Sequence, residues 1–280
     1  MMITQRLSAH IGYLFTELPL EARVAAAADA GFTAIEHPQP YGILASRLAG
    51  DLERYGLRFS QIAAGQGDTA KGEKGLASLP GRENDFRESL KRAIDYALDV
   101  GCPLIHPMAG VPHHADGVEV QRTYLRNIEF AVELTAHLPL KVLIEAISAS
   151  AVPGYYMSTL AEAAVVQDIF GPGNVALLVD TFHAAANGDD IMRWVTTDVH
   201  RVGHVHIADF PGRHEPGTGI FPFDEFLNAL LTSGYEGAIG FEYVPSRDTR
   251  LGLSFLQNWK NDHLNASGST APDITSRGLL

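Results

Sequence analysis

Four polar residues stand where apolar runs of the chain stop. Lys-Val-Leu-Ile is followed by Glu145, Val-Ala-Leu-Leu-Val by Asp180, Gly-His-Val by His206 and Ala-Ile-Gly-Phe by Glu242. Successive members lie 35, 26 and 36 positions apart, close to one strand–helix unit each. If each run is a parallel strand, three carboxylates and an imidazole reach one C-terminal edge, where strand–helix barrels keep their chemistry. Three carboxylates at an apolar rim repel one another, and burying them unpaired is costly. Either protons neutralise them or a divalent cation sits among them. Three oxygen donors and one imidazole suit Mn²⁺ or Mg²⁺, with Co²⁺ or Zn²⁺ as further candidates. Open coordination positions would then allow Lewis-acid catalysis. One strand-terminal glutamate is ordinarily a capping or salt-bridge residue, and one buried histidine is ordinarily just hydrogen-bonded. Four at successive strand ends are read as a single metal-ligating constellation.

Other side chains have looser claims. His204 shares a strand face with His206 and reads as a core residue hydrogen-bonded beneath it. His183, in the loop expected after Asp180, is a candidate for a substrate oxygen, against a surface-loop reading. Arg213, within Pro-Gly-Arg-His-Glu-Pro-Gly, has the forked donors to grip a substrate carboxylate, against a solvated-loop reading. Glu36 and His106 are candidate cavity-lining, substrate-binding groups. Asp209 is placed to orient Arg213 or His206. Cys102 reads as a small buried apolar residue. His113-His114 lacks a third partner at metal spacing and reads as solvated loop.

Positioning these residues requires a regular frame, and the chain supplies one. Strand-type runs are expected at Ala9–Phe15, Ala34–Glu36, Phe59–Ala63, Leu104–Met108, Val142–Glu145, Ala176–Asp180, Gly203–Ala208 and Ala238–Glu242. Amphipathic helix stripes separate them, as in Phe86, Leu90, Ala93, Ile94 and Ala97, or Phe223, Phe226, Leu227 and Leu230. Gly31, Gly56, Gly101 and Gly234 punctuate helix ends just before strands. Eight alternations with near-continuous apolar strands predict an α/β fold with parallel strands buried on both faces. A closed (β/α)8 barrel, the TIM-barrel architecture, is the simplest arrangement, and an open doubly wound sheet is second. The expected organisation is one barrel domain over residues 1–260 and a polar tail over 261–280. Gly65-Gln-Gly67 matches only the first half of a dinucleotide fingerprint and is set aside.

Composition narrows the function. The 280 residues carry 21 Lys plus Arg against 33 Asp plus Glu, a net charge of −12. That balance argues against a nucleic-acid partner, whose phosphates require a basic face. One cysteine excludes an internal disulfide and a cysteine cage for zinc or iron–sulfur. With no apolar stretch of bilayer-spanning length and no basic-then-apolar leader, a soluble, cytoplasmic protein with no membrane partner is expected. Barrels of this kind often pair, so a homo-oligomer is allowed.

Several stretches carry a family resemblance: Leu-Phe-Thr-Glu (14–17), Gly-Glu-Lys-Gly-Leu-Ala-Ser-Leu-Pro-Gly-Arg-Glu (72–83), Pro-Gly-Tyr-Tyr (153–156), Gly-His-Val-His-Ile-Ala-Asp (203–209) and Pro-Gly-Arg-His-Glu-Pro-Gly-Thr-Gly (211–219). With these the chain resembles the hydroxypyruvate isomerase family, among the xylose-isomerase-like sugar isomerase and epimerase barrels, over about residues 8–260. The resemblance implies a divalent metal held by Glu145, Asp180, His206 and Glu242, with Glu145 and Glu242 doubling as proton-transfer groups. The chain departs from the family at His206, commonly glutamine there but histidine in related ketose 3-epimerases. It also departs at Glu-Ala-Ile-Ser (145–148) for Glu-Pro-Ile-Asn, at Phe182 for tyrosine and at His10 for asparagine. These changes are expected to line the cavity.

The expected reaction is isomerisation of a small hydroxy-oxo acid, hydroxypyruvate/tartronate semialdehyde first, by proton transfer through a metal-bound ene-diolate. A 2-oxo-tetronate isomerase or ketose 3-epimerase could use the same site, and an inosose-type dehydratase could use the same metal to expel a hydroxyl. A DNA-repair endonuclease of related fold would need a multinuclear zinc cluster and a basic surface. A non-catalytic sugar or acid sensor would tolerate loss of one glutamate, yet both are present.

Overall fold

The computed structural model describes residues 5–113 and 116–256. The tail expected at 261–280 and His114 of the histidine pair lie outside the described residues. Nine short strands form one parallel sheet: β1 (Leu7–His10), β2 (Ala34–Glu36), β3 (Arg58–Phe59), β4 (Ile62–Ala64), β5 (Leu104–Pro107), β6 (Lys141–Glu145), β7 (Val175–Asp180), β8 (Val202–Ile207) and β9 (Ile239–Phe241). Their order is β3-β2-β1-β9-β8-β7-β6-β5-β4. β3 and β4 are consecutive pieces of one stave, the first bonded to β2 and the second to β5. With that stave shared, the sheet curls into the expected eight-stave barrel.

The main helices are α1 (Leu20–Asp29), α2 (Ala45–Tyr55), α3 (Glu83–Val100), α4 (Gly117–Thr135), α5 (Leu160–Phe170), α6 (Thr181–Asn187), α7 (Ile191–Val195), α8 (Phe223–Thr232) and α9 (Thr249–Gly252). α3 buries Phe86, Leu90, Ala93, Ile94 and Ala97, and α8 buries Phe223, Phe226, Leu227 and Leu230. Both are the stripes read from the sequence. Gly56 and Gly101 close α2 and α3 in the left-handed conformation. No helix among the described residues is long and apolar enough to cross a membrane.

Two faces of each strand do different work because side chains alternate with a period of two. Val142, Ile144, Val175, Leu177, Val179, Val205, Ile207, Ile239 and Phe241 join the large apolar core shared with the helices. Leu143, Ala176 and Leu178 form a separate small cluster with Leu104, the floor of the barrel interior. Continuing upward from that floor along the same strand faces, Leu143 leads to Glu145, Leu178 to Asp180 and His204 to His206.

Two expectations are corrected. The first strand is Leu7–His10, not Ala9–Phe15. After His10 the chain turns, with the Tyr13 and Leu14 amides both donating to the His10 carbonyl at 2.9 Å and Phe15 at φ 60°. Ile11, Leu14 and Phe15 are buried in this loop, so apolar content alone imitated a strand. His183 lies in α6, not in a loop, because Asp180 caps a helix that starts at the next residue.

Candidate active site at the barrel mouth

Ladder register brings the site together. Asp180 pairs with His206 across β7 and β8, and His206 pairs with Gly240 across β8 and β9, two residues before Glu242. One ligand atom from each of Glu145, Asp180, His206 and Glu242 lies within 4.8 Å of all the others. His206 Nδ1 stands 3.1 Å from Glu242 Oε2, 3.8 Å from Glu145 Oε1 and 4.0 Å from Asp180 Oδ2. Yet neither ring nitrogen of this buried histidine makes a well-formed hydrogen bond. An orphaned imidazole nitrogen facing three carboxylates is a donor set that fits a divalent cation.

Electrostatics agree. Burial pushes the Glu242 carboxyl up, but Arg213, His206 and His10 outweigh it and hold the group well below the ordinary carboxylate range. Burial likewise raises Glu145, and the approach of His206 and His106 brings it below that range. His206 moves the opposite way: burial disfavours its charge, while Glu242 and Glu36 raise it well above the usual histidine value. Glu242, Glu36 and Glu145 therefore favour the protonated imidazole. A metal ligand must be a neutral ring, so a dication held here would have to displace that proton.

Asp180 divides its two oxygens. Oδ1 accepts from the Phe182 and His183 amides at 2.7 and 3.1 Å, capping α6, and Oδ2 is left for the site. Arg213 adopts φ 57°, a conformation that costs a non-glycine residue about 1 kcal/mol or more. Its loop is over-determined. Asp209 accepts from the Phe210, Gly217, Gly219 and Phe221 amides, and the Val244 amide donates to the Arg213 carbonyl at 2.7 Å. Asp209 thus positions Arg213 through the loop backbone, its carbonyl also accepting from the Arg213 amide at 3.0 Å. The guanidinium lies 2.6 Å from Glu242 and 3.4 Å from Asp180, over the rings of Tyr13 and Phe182. The fork expected to meet a substrate carboxylate is engaged by protein carboxylates.

A cleft of about 330 Å³ opens above these groups, lined among others by His10, Tyr13, His106, Glu145, His183, His206, Arg213 and Glu242. His106 Nδ1 lies 3.5 Å from Glu145 Oε2. His183 Nδ1 lies 3.1 Å from Ser148 Oγ. Of the family departures, His10 and His206 line the cleft. Phe182 instead sits under Arg213, and Ser148 holds His183. Ala146 is buried away from the lining.

Glu36 is corrected. Its side chain is 0% exposed and lies 2.7 Å from His204 Nε2, also 0% exposed, with Ser60 donating at 3.1 Å. It is absent from the cleft lining because it supports His206 from below, 3.5 Å from Nε2. Sequence reasoning also missed two contacts. His10 lies 3.3 Å from Glu242 Oε1, and the charge of Glu242 helps push the neighbouring Tyr13 phenol up to about 12. His10 is strand-terminal like the four candidate ligands, a signal hidden by the misplaced first strand.

Gly240 makes this packing feasible. A Cβ there would run into Glu36 Oε1 and sit 2.8 Å from His206 Cδ2. Gly240→Ala is expected to cost on the order of 1–3 kcal/mol, the usual range for overpacking a core. It should also weaken metal retention by displacing His206. Thermal unfolding and metal analysis of the purified variant check both; an unchanged melting point with full metal content would contradict this account.

Comparisons with known proteins meet this geometry. Residues 24–259 match the family model described as xylose isomerase-like TIM barrel. The chain belongs to that family. It is 37% identical over 253 residues to the 2-oxo-tetronate isomerase of Cupriavidus necator, covering 90% of this chain and 97% of the relative. It is 30% identical over 256 residues to the hydroxypyruvate isomerase of Escherichia coli K12, covering 91% and 99%. A crystal structure named AP endonuclease, family 2, from Brucella melitensis superposes with a TM-score of 0.87 at 31% identity, covering 91% and 99%.

Proposed function

We propose that this protein is a divalent-metal-dependent isomerase of small hydroxy-oxo acids, acting by proton transfer between adjacent carbons. The observation that carries the reading is the convergence of Glu145 and Glu242 on His206 Nδ1, at 3.8 and 3.1 Å, with Asp180 in the same cluster. Glu145, Asp180, His206 and Glu242 would hold the cation, with Mn²⁺ or Mg²⁺ favoured by the oxygen-rich set. When bound, it supplies Lewis acidity at a substrate carbonyl–hydroxyl pair.

The remaining work falls to the chain. Both glutamates sit below the ordinary carboxylate range and are ionised at neutral pH, so each can accept a proton. One removes the proton from the carbon bearing the hydroxyl, the hydroxyl proton passes to the former carbonyl oxygen, and the other glutamate, or the same one, delivers a proton to the neighbouring carbon. Arg213 keeps Glu242 aimed and charged. His183, steadied by Ser148, offers a ring nitrogen to a substrate hydroxyl, and His106 borders Glu145.

Hydroxypyruvate/tartronate semialdehyde is the first substrate pair. The likeness to the Cupriavidus enzyme favours four-carbon 2-oxo-tetronates as the second. An endonuclease reading, prompted by the name of the Brucella structure, meets the net charge of −12, which opposes phosphate binding. Incubation with hydroxypyruvate, 2-oxo-tetronates and ketoses plus Mn²⁺ in D₂O, followed by proton NMR, tests the proposal. Deuterium should enter the carbon beside the carbonyl as isomer forms. A panel giving no isomerisation, or isomerisation with complete retention of the substrate proton, sinks proton transfer to solvent-exchangeable carboxylates.

A further inference from the structure

The Gly-Glu-Lys-Gly segment at 72–75 belongs to no step described so far, yet Glu73 and Lys74 both line the cleft. Its backbone is pinned. Gly75 bridges Ala109, the Leu76 and Ala77 amides donate to the Met108 carbonyl at 3.2 and 3.1 Å, and the Ser78 amide donates to Ala109 at 2.8 Å. Tyr155 holds the far side through the Ala109 amide at 3.0 Å. Gly75, at φ 143°, leaves no room for a Cβ, which would strike the backbone of Met108 and Gly110. Glu73 turns away from its chain neighbour, to Arg82 at 2.7 Å and the Asp68 amide at 2.6 Å.

Lys74 is therefore delivered to the rim of the cleft by a fixed loop, and among the described residues no carboxylate pairs with it. The other Lys or Arg in the lining is Arg213, already committed to Glu242 and Asp180. A hydroxy-oxo acid brings a carboxylate as well as the carbonyl–hydroxyl pair, and the metal-ligating carboxylates repel it. We propose that Lys74 is the carboxylate-recognising residue of this cleft, selecting hydroxy-oxo acids over uncharged sugars of the same hydroxy-carbonyl pattern. This rests on the function proposed above. A lysine is suited to the role because its ammonium is a compact charge on a flexible stem, able to meet acids of three or four carbons.

The test compares Lys74→Met with Lys71→Met, which removes the same charge from an exposed residue paired with Asp68 and outside the lining. Full-length Mn²⁺-loaded protein is titrated calorimetrically with tartronate, an unreactive hydroxy diacid, and assayed with hydroxypyruvate. Loss of one charge-assisted contact should weaken tartronate binding and raise KM about 10- to 100-fold in Lys74→Met, with kcat much less affected. Lys74→Arg should recover most of the loss, and Lys71→Met should match wild type. Equal tartronate affinity in the two methionine variants, or no tartronate binding by wild type, overturns the inference. If wild type turns over no hydroxy-oxo acid, the proposed function fails, while the tartronate titration still decides the role of Lys74.

Discussion

Glu242→Gln is expected to lower turnover by roughly 10²- to 10⁴-fold, the usual contribution of a positioned acid–base group, while leaving the barrel folded. The substitution keeps the shape of the side chain and removes its charge. That charge faces Arg213 at 2.6 Å, His206 at 3.1 Å and His10 at 3.3 Å, so a neutral amide would set an N–H₂ group against cationic or N–H partners. Metal content should fall as well, since one of three carboxylate ligands is lost. Turnover and metal stoichiometry measured on the same preparation separate the two roles: a variant that keeps its metal but not its rate isolates the proton-transfer function. Near-normal turnover would remove Glu242 from the reaction altogether.

Stripping the protein with a chelator is the second large effect. Activity should fall to background and return on adding Mn²⁺ or Mg²⁺, with one ion bound per chain. Stability should move too, because a ligand that binds only the folded state adds about 2.7 kcal/mol at a hundredfold excess over its Kd. Without it the carboxylates of the mouth rely on Arg213 and the neighbouring histidines His206, His10 and His106. A rise in melting temperature on metal addition is the activity-independent readout. Three ions per chain would point instead to a multinuclear hydrolase, and unaltered activity after complete stripping would end the metal-dependent reading.

Much of this was legible before any coordinates. Periodicity is a local property: side chains on one strand face recur every second residue, so Leu143 and Glu145, or His204 and His206, declare a shared face from their spacing alone. The capping glycines and helix stripes are equally local. That is why the eight-fold alternation and the four strand-terminal polar residues that cluster at the mouth could be read directly.

Other features depend on which strands become neighbours and in what register. Glu36 ends a strand just as Glu145 does, yet it supports the site from beneath instead of lining it. The absence of a side chain at Gly240, on a strand over two hundred positions away in the chain, opens the space it fills. The contact of His10 with Glu242 was missed because Ile11, Leu14 and Phe15 are apolar for burial in a loop, and composition cannot distinguish that from a strand. Arg213 looked available for substrate until the loop tied by Asp209 turned it onto Glu242 and Asp180. The amino-acid order determined the repeating unit and the ligand types, because both follow from spacing along one segment. Only closure of the barrel decided which charges meet, because electrostatic pairing depends on distances in space that no single segment contains.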